Sequence, residues 1–232
     1  MARDISGKWA LVTGASRGVG RQIATALGGV GCKLVVHSRR LDHTRDLVTA
    51  LRKSGVQVEA VAAELSDQAE VDKMLEDALA ISGGFEILYN NAAIMTPWRE
   101  PYTETPADDF RTSFEVNVVT PIRITYRLLP LMRERRWGRI VQVTSGIQDL
   151  PELMAYAASK AALDKFVRDT APSLRGSGVL MNLLDPGWLS TDLGGPKAPN
   201  PVERVLPGAL VPALLDGEVQ AVLFRALDHA GA

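Results

Sequence analysis

The chain has 232 residues, 46% of them hydrophobic, 23% charged and 6% aromatic, which is the usage of a globular domain long enough to bury a full core. Lys+Arg 26 against Asp+Glu 27 leaves a formal charge of −1, so the surface is not built to neutralise phosphates and nucleic acid is not an expected partner. A single cysteine, Cys32, and three scattered histidines exclude a disulfide framework and leave no Cys- or His-rich metal site.

No apolar run approaches the ~20 residues that span a bilayer, and the N-terminus carries no secretory-type apolar segment. A cytoplasmic α/β enzyme, without membrane contact, is the expectation. In chain order, residues 8–13 predict a buried strand and residues 18 to about 30 a helix. A strand over 33–37, a helix over 41–53, a strand over 56–62 and a helix over 68–80 follow. Residues 85–89 predict a fourth strand, 107–135 a long helix, 139–144 a fifth strand and 155–174 a helix. Residues 179–184 give a sixth strand and 220–224 a seventh. Strands apolar on both faces, alternating with helices, predict one Rossmann-like domain over 1–232. Its doubly wound parallel sheet would have about seven strands, with helices on both sides. The compositional break is a Pro/Gly-rich segment at 186–212, read as a lid over the substrate. The basic cluster Arg133, Arg135, Arg136 and Arg139 reads as a solvated helix end.

Gly14-Ala15-Ser16-Arg17-Gly18-Val19-Gly20 lies between the first strand and the first helix. Glycines there let the backbone approach a phosphate, while the helix N-terminus supplies free N–H groups and positive potential. No Gly-Lys-Ser/Thr follows, so the turn is not a P-loop. Gly14-Ala15-Ser16-Arg17-Gly18 also fits a nucleophile elbow, for which Asp185 and His229 would complete a Ser…Asp…His order. Against that serine hydrolase, no earlier strand exists to supply the oxyanion donor, and His229 lies at the chain end.

Further motifs make the pattern specific. Thr13-Gly14-Ala15-Ser16-Arg17-Gly18-Val19-Gly20 is followed by Asn90-Asn91-Ala92-Ala93, by Asn117 in a helix and by Ser145 after the fifth strand. Tyr156-Ala157-Ala158-Ser159-Lys160 and Pro186-Gly187 with Thr191 complete the series. In this order the chain resembles the short-chain dehydrogenase/reductase family from about residue 8 to 191. The resemblance implies a catalytic set of Asn117, Ser145, Tyr156 and Lys160. It implies a nicotinamide cofactor held by Gly14, Ser16, Arg17, Gly18, Val19, Gly20, Ser38, Arg39, Glu64, Leu65, Asn91, Ala92, Tyr156, Lys160, Pro186, Gly187 and Thr191. It also implies a homodimer or homotetramer paired through long helices.

The residue chemistry agrees with those roles. Tyr156 and Lys160 are four apart and share a helix face. An ammonium beside a phenol favours the phenolate, so Tyr156 is expected to have a lowered pKa and to pass a proton to or from a substrate oxygen. Ser145 would hydrogen-bond that oxygen, and Asn117 would hold a water in a relay to Lys160. The second strand ends His37-Ser38-Arg39-Arg40 without the carboxylate that binds a ribose 2′-hydroxyl, whereas Arg17 and Arg39 suit a 2′-phosphate. NADP(H) is therefore the expected cofactor. Ile94, Met95, Trp98, Leu150, Met154, Trp188, Leu189 and Leu193 form a candidate apolar pocket wall, which predicts a fairly hydrophobic carbonyl or alcohol substrate. The competing readings are a non-catalytic NADP(H)-binding sensor or scaffold on the same fold and the hydrolase using Ser16.

Overall fold

The computed structural model describes residues 4–229. Seven parallel strands form one sheet: β1 (Trp9–Val12), β2 (Lys33–Ser38), β3 (Val58–Ala62), β4 (Ile87–Asn90), β5 (Gly138–Val143), β6 (Val179–Asp185) and, beyond a two-stranded pair β7 (Leu189–Ser190) and β8 (Asn200–Pro201), β9 (Leu223–Arg225). Their order across the sheet is β3-β2-β1-β4-β5-β6-β9, so the chain reverses direction between β1 and β4. Open α/β sheets bind ligands beyond the carboxyl ends of the strands at that reversal.

Residues alternate between the two layers because successive side chains leave opposite faces of a strand. Ala10, Val12, Leu34, Val36, Ile87, Tyr89, Val141 and Leu184 pack under α1 (Gly18–Gly29) and α2 (Arg45–Lys53). Leu11, Val35, Leu88, Ile140, Met181 and Leu183 pack under α3 (Gln68–Ser82), α5 (Thr120–Glu134) and α6 (Met154–Thr170). Both faces are covered, which explains the near-continuous apolar strands.

Three expectations are modified. The helix foreseen over 107–135 is α4 (Ala107–Phe114), a π-helical turn Glu115–Val119 and then α5. The foreseen solvated cluster contains Arg139, which is buried and donates to the carbonyls of Leu215, Gly138 and Gly178. The Pro/Gly-rich segment is ordered, and its second half belongs to the core. Val205, Ala209 and Leu210 are buried, and Tyr89 Oη donates to Ala209 O at 2.8 Å. Only its first half, about 186–200, is left over the sheet's carboxyl end. Among the described residues no helix is long and apolar enough to cross a membrane, and no group of three or more His, Cys, Asp or Glu could hold a metal ion.

Candidate active site

The glycine turn is held by its neighbours rather than by its own side chains. Thr13 Oγ1 donates to Tyr89 O and accepts the N–H groups of Asn91 and Ala92, both at 3.0 Å. Asn91 Nδ2 donates to Thr13 O at 2.9 Å and Gly14 O at 3.2 Å. Gly14 has φ +66, and a methyl there would lie 2.8 Å from Ala92 Cα. Helix α1 starts after Arg17 with no side-chain cap on its first N–H groups. Those donors point out at the switch between β1 and β4, the arrangement that receives a phosphate.

His37, at the end of β2, fastens the same turn. Gly14 N–H donates to its Nδ1 at 3.3 Å, and Nε2 lies 3.1 Å from Ala63 O, so Nε2 carries the proton. Burial pushes the imidazole down from 6.5 to about 4, against smaller raising effects of the Ala63 carbonyl and Glu64. Between those two pH values the unfolded chain binds a proton that the folded one refuses. Stability that is complete above about pH 6.5 is therefore lost as the pH falls toward 4, by about 3 kcal/mol. Denaturant midpoints measured from pH 7 to 4 should show this acid limb, and His37→Gln should flatten it.

Ser38 is buried and donates its hydroxyl to Arg40 O at 2.7 Å. Arg40 pairs with Asp42, whereas Arg39 is exposed and makes no ion pair among the described residues. Arg17 pairs with Asp192 at 2.9 Å, both well exposed. Glu64 stays near the chain, accepting from Ser66 N, and Leu65 is buried with its carbonyl taken by Thr120. Thr191 lies against Gly18, 3.5 Å from where a methyl there would be, and accepts from Gly194 N.

The second cluster gathers at the carboxyl ends of β4, β5 and β6. Tyr156 and Lys160 are buried on α6, with the ammonium 5.8 Å from the phenol ring centre. Lys160 Nζ donates to Val143 O at 2.8 Å, and burial lowers its pKa to about 8. The foreseen depression of Tyr156 is not what the geometry gives. Burial raises the phenol, a hydrogen bond with Ser145 pulls it partly back, and Asp185 raises it further. Desolvation outweighs charge here because the phenol is buried and the ammonium is itself desolvated.

Asn117 sits in the π-helical turn, fully buried. Its amide brackets Ile94, accepting from Ile94 N and donating to Ile94 O, both at 2.9 Å, and it also donates to Ser159 Oγ at 3.0 Å. Ser159 in turn donates to Tyr156 O at 2.7 Å. The side chain is thus committed to fastening the loop after β4 to α6. Ser159, His37 and Thr13 were not singled out by sequence, although Ser159 and Thr13 lie inside motifs. Ser16, Asp185 and His229 share no hydrogen bond among the described residues, and Asp185 Oδ1 instead accepts from Gly187 N.

A parallel sheet whose strand order reverses between β1 and β4, with helices on both faces, is a doubly wound α/β domain, and it carries the glycine turn and the buried Tyr156–Lys160 pair. The family model for short chain dehydrogenases matches residues 8–201. A short chain dehydrogenase of Pseudocercospora fijiensis is 34% identical over 197 residues, covering 83% of this chain and 63% of that protein. The D-beta-hydroxybutyrate dehydrogenase of Cupriavidus necator is 31% identical over 191 residues, covering 82% and 73%. The crystal structure of a metagenomic short-chain oxidoreductase in complex with NADP has a TM-score of 0.81 at 27% identity, covering 96% of this chain and 99% of that one. The chain belongs to the short-chain dehydrogenase/reductase family of oxidoreductases.

Proposed function

We propose that the protein is an NADP(H)-dependent carbonyl reductase or alcohol dehydrogenase of the cytoplasm, acting on a fairly hydrophobic ketone, aldehyde or secondary alcohol. The observation that carries the reading is the joining of Tyr156, Ser145, Lys160 and Asn117 at the carboxyl end of the sheet, beside the uncapped turn of α1. Gly18, Val19 and Gly20 would present N–H groups to the pyrophosphate. Lys160 would reach the ribose hydroxyls, and Pro186 and Gly187 would line the nicotinamide side. The nicotinamide, when bound, supplies or accepts the hydride. Tyr156 gives its phenolic proton to the substrate oxygen in reduction and takes it back in oxidation. Ser145 hydrogen-bonds the same oxygen and shares its developing charge.

The apolar preference is supported by Trp98, Leu150, Trp188 and Leu193, and by Met154 at the start of α6, all large and exposed. Leu189 is buried in the core and does not belong with them. Val119 and Tyr126, exposed on or beside α5, support pairing into a homodimer or homotetramer through these helices.

The preference for NADP(H) rests on Arg17 and Arg39. The exposed Arg17–Asp192 pair is worth less than about 1 kcal/mol, so a 2′-phosphate can compete for that guanidinium. A ligand at 100 times its dissociation constant stabilises a fold by about 2.7 kcal/mol. In a thermal-shift titration NADPH should therefore raise the melting temperature at concentrations where NADH does not. Arg17→Ala with Arg39→Ala should make the two titrations coincide. Equal shifts in the unaltered protein would remove the two arginines from the argument, and no shift with either would sink the cofactor reading.

A further inference from the structure

Asp185, the last residue of β6, has one oxygen with an evident task and one without. Oδ1 accepts the Gly187 N–H at 2.9 Å and so closes a side-chain turn across Pro186. Oδ2 lies over Gly146, close enough that a methyl group there would sit 2.7 Å away. Gly146 directly follows Ser145, and the carboxylate acts electrostatically on Tyr156 and Asp164. Alternation along β6 turns Asp185 to the layer of Met181 and Leu183, where α6 carries Tyr156. Arg225 stands beside it in register on β9, but is exposed and makes no ion pair with it among the described residues. No donor reaches Oδ2 among the described residues, and Asp185 is only half-buried.

We propose that Asp185 Oδ2 is a specificity determinant, selecting carbonyl substrates that carry a hydrogen-bond donor, hydroxyl or ammonium, close to the reacting carbon. The proposal rests on the carbonyl-reductase reading above and adds a polar requirement to its apolar rim. A donor delivered to the carboxylate forms a charge-assisted hydrogen bond. A substrate without one leaves the carboxylate stripped of water with nothing in exchange, so the site discriminates by penalty as much as by attraction.

Asp185→Asn tests this while keeping an oxygen for the Gly187 N–H. The probes are acetophenone, α-hydroxyacetophenone and α-aminoacetophenone with NADPH. In the unaltered enzyme kcat/KM should favour at least one donor-bearing ketone over acetophenone, and in Asp185→Asn that ratio should fall by roughly tenfold to hundredfold. A drop confined to the amine assigns the site to cations, and a drop for both assigns it to donors in general. A ratio the substitution leaves unmoved overturns the proposal. Thermal shifts of the NADPH-loaded protein with acetophenone and α-hydroxyacetophenone make the same comparison without turnover. A donor-dependent shift lost in Asp185→Asn supports the proposal, and identical shifts in both proteins overturn it. NADPH oxidation undiminished in Tyr156→Phe would sink the catalytic reading alone, because the binding comparison does not depend on it.

Discussion

Tyr156→Phe is expected to lower kcat for carbonyl reduction by at least about a hundredfold, and by as much as about ten-thousandfold, the range over which a positioned proton donor acts. The ring is buried and phenylalanine fills the same space, so the fold should survive. The hydrogen bond from Ser159 goes to the main-chain carbonyl and is kept. NADPH titrations should still show binding in a protein that no longer turns over, and steady-state kinetics beside thermal shift would show the split. Because burial holds the phenol protonated well past neutrality, the group is ready as an acid over the physiological range. Reduction should be insensitive to pH there, while alcohol oxidation should gain as the pH rises. If Tyr156→Phe kept full activity, the proton donor would have to be sought elsewhere.

Gly20→Ala should have the other large effect, on the binding side. A methyl group at Gly20 would lie 2.3 Å from Gly14 O and 2.4 Å from Asn91 Nδ2, with the first of these atoms in rigid backbone. Neither contact can be kept, so α1 must move away from the turn or the turn must open. Overpacking of this kind costs about 1–3 kcal/mol of stability. The same movement displaces the uncapped N–H groups that would meet the pyrophosphate, so NADPH affinity should fall by more than about tenfold. Denaturant unfolding and a cofactor titration on one preparation would measure both losses. Unchanged affinity would mean that the helix N-terminus is not the phosphate site. By contrast, a methyl at Gly29 meets nothing within 4 Å, so Gly29→Ala serves as the control for helix propensity alone.

Most of the sheet was legible because parallel strands covered on both faces are written as short apolar runs, and six of them recur with helices between. The seventh, Leu223–Arg225, is set by pairing with β6 and is only three residues long, so its bounds carry little local signal. The π-helical turn was not legible. Residues 107–135 keep a helical pattern throughout, whereas Asn117 in the turn bonds Ile94 and Ser159, partners far from it in sequence that a local pattern does not encode. Arg139 misled for a similar reason. A sequence shows a cluster of arginines but not the carbonyls of Leu215 and Gly178 that take one of them inside. The order of the motifs pointed to Tyr156, Lys160, Asn117 and the glycine turn. The direction of the phenol's shift depends on burial, which motif spacing does not encode. Asp185 entered the sequence reading only through a triad pattern whose members share no hydrogen bond among the described residues.

The loop after β4 serves two masters at once. Asn91 is tied back to Thr13 and Gly14, and three residues later Ile94 is clasped by Asn117, which leads through Ser159 to the helix of Tyr156. For anyone recombining this domain with a relative, the consequence is a rule about where to cut. Crossovers in the segments 95–106 or 193–199 cut neither of these ties. A crossover between residues 91 and 94 would take its two ends from different parents, and each end must fit a partner more than twenty residues away along the chain.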